Sequence, residues 1–449
     1  MNENKINNVL IFAGAVVFGA LLLMFVPAFT LLGFEFKKVD VLADIRSNNT
    51  DEIDTVAIVP QIKPEFIDTC KTGVICIEDY TVQHNALHRF YHALEKNDKQ
   101  VRIAYFGDSF IEGDLLSGSL RTLLQKKYGG NGVGFVPVNC ITSKFRLTAT
   151  TNASGWEEHC ITDNNFNRAK QGISGHYFVP FQNATATFVC KDLYGKDVDT
   201  CNIATFYFMT DGDLKFTTTI NKTIKQQHTV KGSSSVQKFS VHERIGHLKI
   251  TIDNPGKNTR FFGVALENYN SGIVVDNFSL RGISGETLKT IPAKTLHDFD
   301  SLRNYDLIII QYGLNVATKN GKDYGYYKKA MTGTVNYLRE NIPSSDFLLV
   351  SVGDRAAKTN GGAETMPGVK NLMTVQQTIA QECGIAFLNL IDIMALDGGM
   401  AEYVKAKPSK ANLDYTHINM RGGELIAKHL FETFEYGLQK YIEKKQFNE

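Results

Sequence analysis

Ser109 stands in the string Gly107-Asp108-Ser109-Phe110, directly after the apolar run 101–106, and His417 closes Asp414-Tyr415-Thr416-His417 just before the last helical stretch. A serine hydroxyl becomes a useful nucleophile only when a base takes its proton. An imidazole serves as that base when a carboxylate fixes its tautomer and orientation. A spacing of three residues lets Asp414 reach one ring nitrogen of His417 and leaves the other to face Ser109. The chemistry expected is acyl transfer, with Ser109 as nucleophile, His417 as general base and Asp414 as its orienting partner. Neither segment is decisive alone, because a Ser after a strand is often an N-cap and a His before a helix is often solvated.

Acyl transfer also needs donors for the oxyanion. The apolar run ending at Tyr312 leads into Gly313-Leu314-Asn315, and the run 272–280 leads into Gly282-Ile283-Ser284-Gly285-Glu286-Thr287. The backbone N–H of Ser109, that of Gly285 and the Asn315 amide are the expected oxyanion hole, each donor worth about 3–4 kcal/mol of barrier.

These residues fall at the ends of strand-like runs, 101–106, 306–312, 346–352 and 385–390, which alternate with helical stretches near 111–128, 323–341, 368–382 and 420–443. Alternation of this kind predicts a three-layer α/β/α fold with a parallel sheet, whose ligands bind outside the carboxyl ends of the strands. Ser109 is expected at the start of a helix running from Ile111, where the dipole favours developing negative charge. Residues 139–271 break the rhythm. Short β-branched or aromatic runs at 185–190, 203–209, 214–220, 248–252 and 261–267, separated by Gly, Asn, Asp and Ser, predict an inserted antiparallel sandwich.

The four segments, in this order, resemble the SGNH (GDSL-type) serine esterase superfamily, with blocks at Ser109, Gly285, Asn315 and His417 and Asp414 as third triad member. The resemblance spans 82–138 and 272–443. Gly107 to Asp114, followed by Gly129 to Pro137, looks like the opening of bacterial peptidoglycan O-acetylesterases and related two-domain carbohydrate esterases, which carry a β-sandwich between the Ser and Gly blocks. The resemblance implies removal of acetyl groups from an O-acetylated cell-envelope glycan through an acyl-serine, with no metal or organic cofactor. Phe110 and Glu286 depart from the usual pattern and bear on the substrate more than on the chemistry. An O-acetyltransferase, passing the acyl group to a sugar hydroxyl, and a glycan-binding protein without turnover are the alternatives.

The 449-residue chain carries 48 Lys+Arg against 47 Asp+Glu. That balance supplies no general field for nucleic acid, and no nucleic-acid partner is expected. After a short tail, 1–8, residues 9–34 are almost wholly apolar and predict a helix anchored in a lipid bilayer, followed by a stalk over 35–81, the hydrolase parts 82–138 and 272–449, and the insert 139–271. Flanking charges (Lys37, Lys38 and Arg46 against Lys5) favour a cytoplasmic bulk, whereas six cysteines in near pairs, 70/76, 140/160 and 190/201, favour disulfides and a periplasmic face of the inner membrane. Cys383 reads as a buried thiol. Asp108 and Asp114 read as structural, His84, His88 and His92 as a helix face, Trp156 as sandwich core, and Gly172-Ile173-Ser174-Gly175 as a turn.

Overall fold

The computed structural model describes residues 11–12, 14–16, 18, 22, 29–31, 34–36, 70–139, 145–191, 200–268 and 271–448. In the N-terminal unit, Met1–Lys63, Phe29–Leu31 pairs antiparallel with Phe34–Phe36. The alternation Phe34-Glu35-Phe36 has the period of a strand, so the helix expected over 9–34 does not reach its predicted end. Most of its other residues lie outside the described ones, and no described helix is long and apolar enough to cross a membrane.

The second unit, Pro64–Glu449, is built on a parallel sheet of β1 (Gln100–Gly107), β2 (Gly272–Ser279), β3 (Leu307–Gln311), β4 (Asp346–Val350) and β5 (Ala386–Leu388). Its spatial order is β2-β1-β3-β4-β5, closed by a short antiparallel strand, Glu78–Asp79. Residues 78–79, expected in the stalk, are therefore part of the sheet, and Thr433 donates its hydroxyl to the Ile75 carbonyl just upstream. Nearly every residue of β1, β3 and β4 is buried, as strands covered on both faces require. Helices Ser117–Tyr128, Gly325–Asn341, Pro367–Cys383 and Met420–Asn448 supply that cover.

The register decides where the loops emerge. Ser279 pairs with Gly107, Gly107 with Gln311, Gln311 with Val350 and Val350 with Leu388. The carboxyl ends of all five strands thus form one row. The loops bearing Ser109, Gly285 and Asn315 leave that row side by side.

The inserted strands form one connected antiparallel sheet of nine. The long strand His176–Cys190 links its parts by changing partner midway, Phe178 pairing with Phe261 while Thr185–Val189 pair with Thr251–His247. Three strands were not anticipated: Ala149–Cys160, Ile224–Val230 and Ser233–Ile245. Ile224–Val230 is almost entirely exposed, so it lacks the apolar alternation that marks a half-buried strand. Gly132–Val136 also belongs to this sheet, pairing with Arg260–Glu267, so the sheet begins before residue 139.

Of the expected disulfides, Cys70–Cys76 is formed. Cys160, Cys190, Cys201 and Cys383 are free thiols, and Cys140 lies outside the described residues. Two expected bridges are thus corrected. Cys160 accepts from Thr162 Oγ1 at 3.1 Å and lies 3.8 Å from His176 Nε2. Cys190 and Cys201 are buried free thiols, and Cys190 together with burial pushes the Cys201 thiol well above the ordinary range.

Candidate functional site

Ser109 follows β1 by two residues and is half-buried. Its Oγ lies 3.0 Å from His417 Nε2, and His417 Nδ1 lies 2.7 Å from Asp414 Oδ2. The expected trio is thus one hydrogen-bonded chain, although 308 residues separate Ser109 from His417. Asp414 divides its carboxylate. Oδ1 accepts the backbone N–H of Thr416 (2.9 Å) and of His417 (3.0 Å), which folds the loop, while Oδ2 is left for the ring. Burial works against ionisation of Asp414, but the bonds from His417 and Thr416 outweigh it and hold the carboxyl below its ordinary range. An anionic Asp414 keeps the Nδ1 proton on its own side of the ring, so Nε2 can accept a proton from Ser109.

The sequence expectation fails at the helix. The α-helix begins at Ser117 and not at Ile111; only a single 3₁₀ turn, Glu112–Asp114, follows Ile111, so Ser109 does not stand at the N-terminus of an α-helix. Gly113 and Asp114 both lie in the left-handed region, at φ +65° and +63°, and interrupt the helical path. Asp114 is fully buried and binds the Ser117 hydroxyl (2.8 Å), Arg121 and Arg146. Stabilisation of negative charge at Ser109 must therefore come from individual N–H groups.

Gly285 lies at φ +97°, and a Cβ there would come within 2.7 Å of Tyr312 Cδ2 and 2.9 Å of Met331 Sδ. Only glycine allows this turn to sit against the end of β3. Asn315 Nδ2 donates to the Ile283 carbonyl at 2.8 Å, tying the Asn315 loop to the Gly285 loop. Neither the Ser109 N–H nor the Gly285 N–H has an acceptor among the described residues, which leaves both available.

Asp108 was read as structural, and its position gives that role a specific content. Its buried carboxylate accepts from Phe110 N (3.0 Å) through Oδ1 and from Gly313 N (3.2 Å) and Leu314 N (3.1 Å) through Oδ2. It cross-braces the Ser109 loop to the Asn315 loop. Burial dominates its ionisation and pushes it up to about 6, against the three backbone bonds that favour the anion. A second brace was not anticipated: Arg281 donates through Nε (2.8 Å) and Nη2 (2.6 Å) to the two oxygens of Glu112, joining the Ser109 loop to the Gly285 loop. No motif flags such a pair, because each partner is an ordinary charged residue until the fold brings the loops together.

The remaining features have structural roles. His84, expected on the same helix face, lies in a bend at φ +49° before the helix, which begins at His88. His88 and His92 stack at 6.4 Å, His88 meets Tyr441 at 5.0 Å, and no cluster of three metal-ligating groups occurs among the described residues. Trp156 packs edge-on against Phe261 and donates to the Thr185 carbonyl. Gly172-Ile173-Ser174-Gly175 is a turn closed by Gly175 N to Gly172 O at 3.0 Å.

No family model matches the sequence, and no curated protein matches it. Solved structures do. A peptidoglycan O-acetylesterase is similar at 19% identity and TM-score 0.66, over 81% of this chain and 99% of that one. A family two carbohydrate esterase from Clostridium thermocellum is matched at 10% identity and TM-score 0.29, over 64% of this chain and 99% of that one. A salicylyl-acyltransferase from a tetracycline biosynthetic pathway is matched at 10% identity and TM-score 0.29, over 64% of this chain and 97% of that one. The first of these is a likeness of fold over 81% of this chain, in line with the resemblance that the four short segments carry.

Proposed function

We propose that the chain is a serine esterase that removes O-acetyl groups from a cell-envelope glycan, with Ser109, His417 and Asp414 as its triad and the N–H groups of Ser109, Gly285 and Asn315 as its oxyanion hole. The observation that carries this reading is the chain Ser109 Oγ, His417 Nε2, His417 Nδ1, Asp414 Oδ2, at 3.0 and 2.7 Å, at the carboxyl edge of a sheet shared in fold with a peptidoglycan O-acetylesterase. Ser109 attacks the acetyl carbonyl, and His417 takes its proton and returns it to the leaving sugar oxygen. A water activated by His417 then attacks the acyl-serine, releasing acetate and restoring the hydroxyl.

The N-terminal apolar run is assigned to a membrane anchor, with the second unit on the periplasmic or external face. The length of the run and the Cys70–Cys76 disulfide support this, since disulfides persist in oxidising compartments. Protease added to intact spheroplasts should digest the second unit, and protection would place it inside.

The reaction is tested with a chromogenic acetyl ester and with O-acetylated cell-wall glycan, using Ser109→Ala as control. Acetate release that disappears in Ser109→Ala is expected. Unchanged turnover in that variant would refute the nucleophile, and an acyl-enzyme that discharges only to an added sugar would move the assignment to acyl transfer.

A further inference from the structure

Arg355, five residues beyond the end of β4, belongs to none of the four segments and yet joins two of them. Its Nε donates to Thr416 Oγ1 at 3.0 Å, and its Nη1 donates to Leu314 O at 3.3 Å and Ala317 O at 3.1 Å. One planar guanidinium therefore spans the loop bearing Asn315 and the loop bearing Asp414 and His417. The connection continues on both sides. The Thr416 hydroxyl, only 8% exposed as a residue, donates onward to the Asp414 carbonyl at 3.1 Å. Leu314, whose carbonyl Arg355 holds, gives its N–H to Asp108 Oδ2, one residue before Ser109. A main-chain bond from Ala356 N to Tyr415 O at 3.0 Å runs beside the guanidinium.

We propose that Arg355 is a positioning residue for acyl transfer, fixing the Asn315 amide relative to His417; this rests on the serine-esterase reading above. Arg355 hydrogen-bonds neither Ser109 nor His417 among the described contacts, so its effect must pass through Thr416 and Leu314. The geometry needs a guanidinium. Three acceptors on two loops are met by donors set in a rigid fork, whereas a lysine ammonium on a flexible stem is a point charge that cannot reach all three together. The acyl-transfer step needs His417 and the oxyanion donors correctly placed at the same moment, and a displacement of about 1 Å typically costs on the order of 10²-fold.

The test compares Arg355→Lys, Thr416→Val, the double variant and Thr416→Ser in the full chain. It reads kcat and KM on a chromogenic acetyl ester, the rate at which a fluorophosphonate labels Ser109, and the thermal midpoint. Arg355→Lys and Thr416→Val should each lower kcat and the labelling rate by about 10–100-fold with little change in KM. The double variant should lose no more than the worse single, because both act through one connection. Thr416→Ser, which keeps the hydroxyl, should behave as the parent. Parental kcat in Arg355→Lys, losses that multiply in the double variant, or a defect confined to KM would each overturn the proposal. Should Arg355→Lys fail to fold, Thr416→Val still carries the test, since it leaves the bonds to Leu314 and Ala317 in place. Ser109→Ala, assayed in parallel, separates the two readings. Full activity there removes the esterase assignment, whereas an inactive Ser109→Ala beside a fully active Arg355→Lys removes only the role of Arg355.

Discussion

Replacing Asp108 by Asn changes charge without changing shape, and the structure gives the sign of two effects. The carboxyl, 1% exposed, is pushed from 3.8 up to about 6 chiefly by burial. Above that value the folded protein holds an anion that it disfavours by roughly 3 kcal/mol relative to the unfolded chain. Asparagine removes this penalty. It also has one acceptor oxygen where Asp108 uses two, so keeping the bonds from Gly313 and Leu314 sets its NH₂ against the Phe110 N–H. A buried donor left in that state costs about 1–3 kcal/mol. The two terms nearly cancel, and the thermal midpoint near neutral pH should move by only a few degrees. Activity should not be spared. A brace that pulls on one loop and repels the other shifts Ser109 against Asn315, and kcat is expected to fall about 10–100-fold with KM nearly unchanged. Steady-state kinetics on an acetyl ester, with calorimetric melts of both proteins across the acidic range, test both halves. The raised carboxyl makes the folded parent bind a proton more tightly than the unfolded chain, so its contribution to stability falls as pH rises from about 4 to about 6. That slope should be absent from the variant. A variant with parental kcat would refute the brace, and one melting more than about 10 °C lower would refute the balance of burial against hydrogen bonding.

Asn315→Ala should lower turnover by about 10²–10³-fold with little effect on substrate binding; a defect in binding alone would show that the amide does not face the oxyanion. Asp114 and Glu267 are buried, which by itself raises a carboxyl, but Arg121 with Arg146, and Arg303 with Arg102, outweigh burial and hold them below the usual range. Their folded-state values are depressed, so the stability they confer is present above the ordinary carboxylate range and is lost as pH falls through the folded values. Denaturant midpoints should therefore drop steeply below about pH 4, and a flat profile down to about pH 2 would contradict these ion pairs.

What the sequence disclosed and what it hid follow from range. Strands β1, β3 and β4 were legible because a buried parallel strand is a short apolar run, and Ser109, Gly285 and Asn315 because the residues after such runs must lie at one edge of the sheet. Asp414 and His417 were legible because their contact is local, three residues apart. The helix start was misplaced because two consecutive left-handed residues, Gly113 and Asp114, interrupt the run, and the buried ion pairs of Asp114 with Arg121 and Arg146 form only in the folded chain. Asp108, Arg281 and Arg355 were invisible as braces for a related reason. Each acts between loops whose adjacency is set by register. The strand Ser233–Ile245 mixes Ser, Gln, Lys, His and Glu, and only its pairing with Cys201–Thr210 makes it a strand.

The insert cannot be treated as a detachable module. The chain leaves the α/β layer at Gly129-Gly130 and returns at Gly272, where the backbones lie so close that a Cβ on Gly272, at φ +122°, would fall 2.1 Å from Gly130 N. Asp276 on β2 accepts the Phe135 N–H (2.8 Å), the Arg303 guanidinium and the Tyr305 hydroxyl (2.6 Å), while Arg303 also pairs with Glu267 of the inserted sheet. Ile173, Tyr177, Tyr207, Phe262 and Ala265 of the insert share one hydrophobic core with Phe278 and Phe299 of the α/β layer. Excising 139–271 would expose those core faces and leave Arg303 and Asp276 buried without Glu267. Breaking a buried ionic group in this way costs about 3–5 kcal/mol before the lost apolar contacts are counted, against a total stability of about 5–15 kcal/mol for a typical domain. The deletion should therefore yield an insoluble or non-cooperatively melting chain. A soluble deletion protein with a single sharp melt would refute the shared core, and would make the insert a separable domain whose glycan affinity could be measured alone.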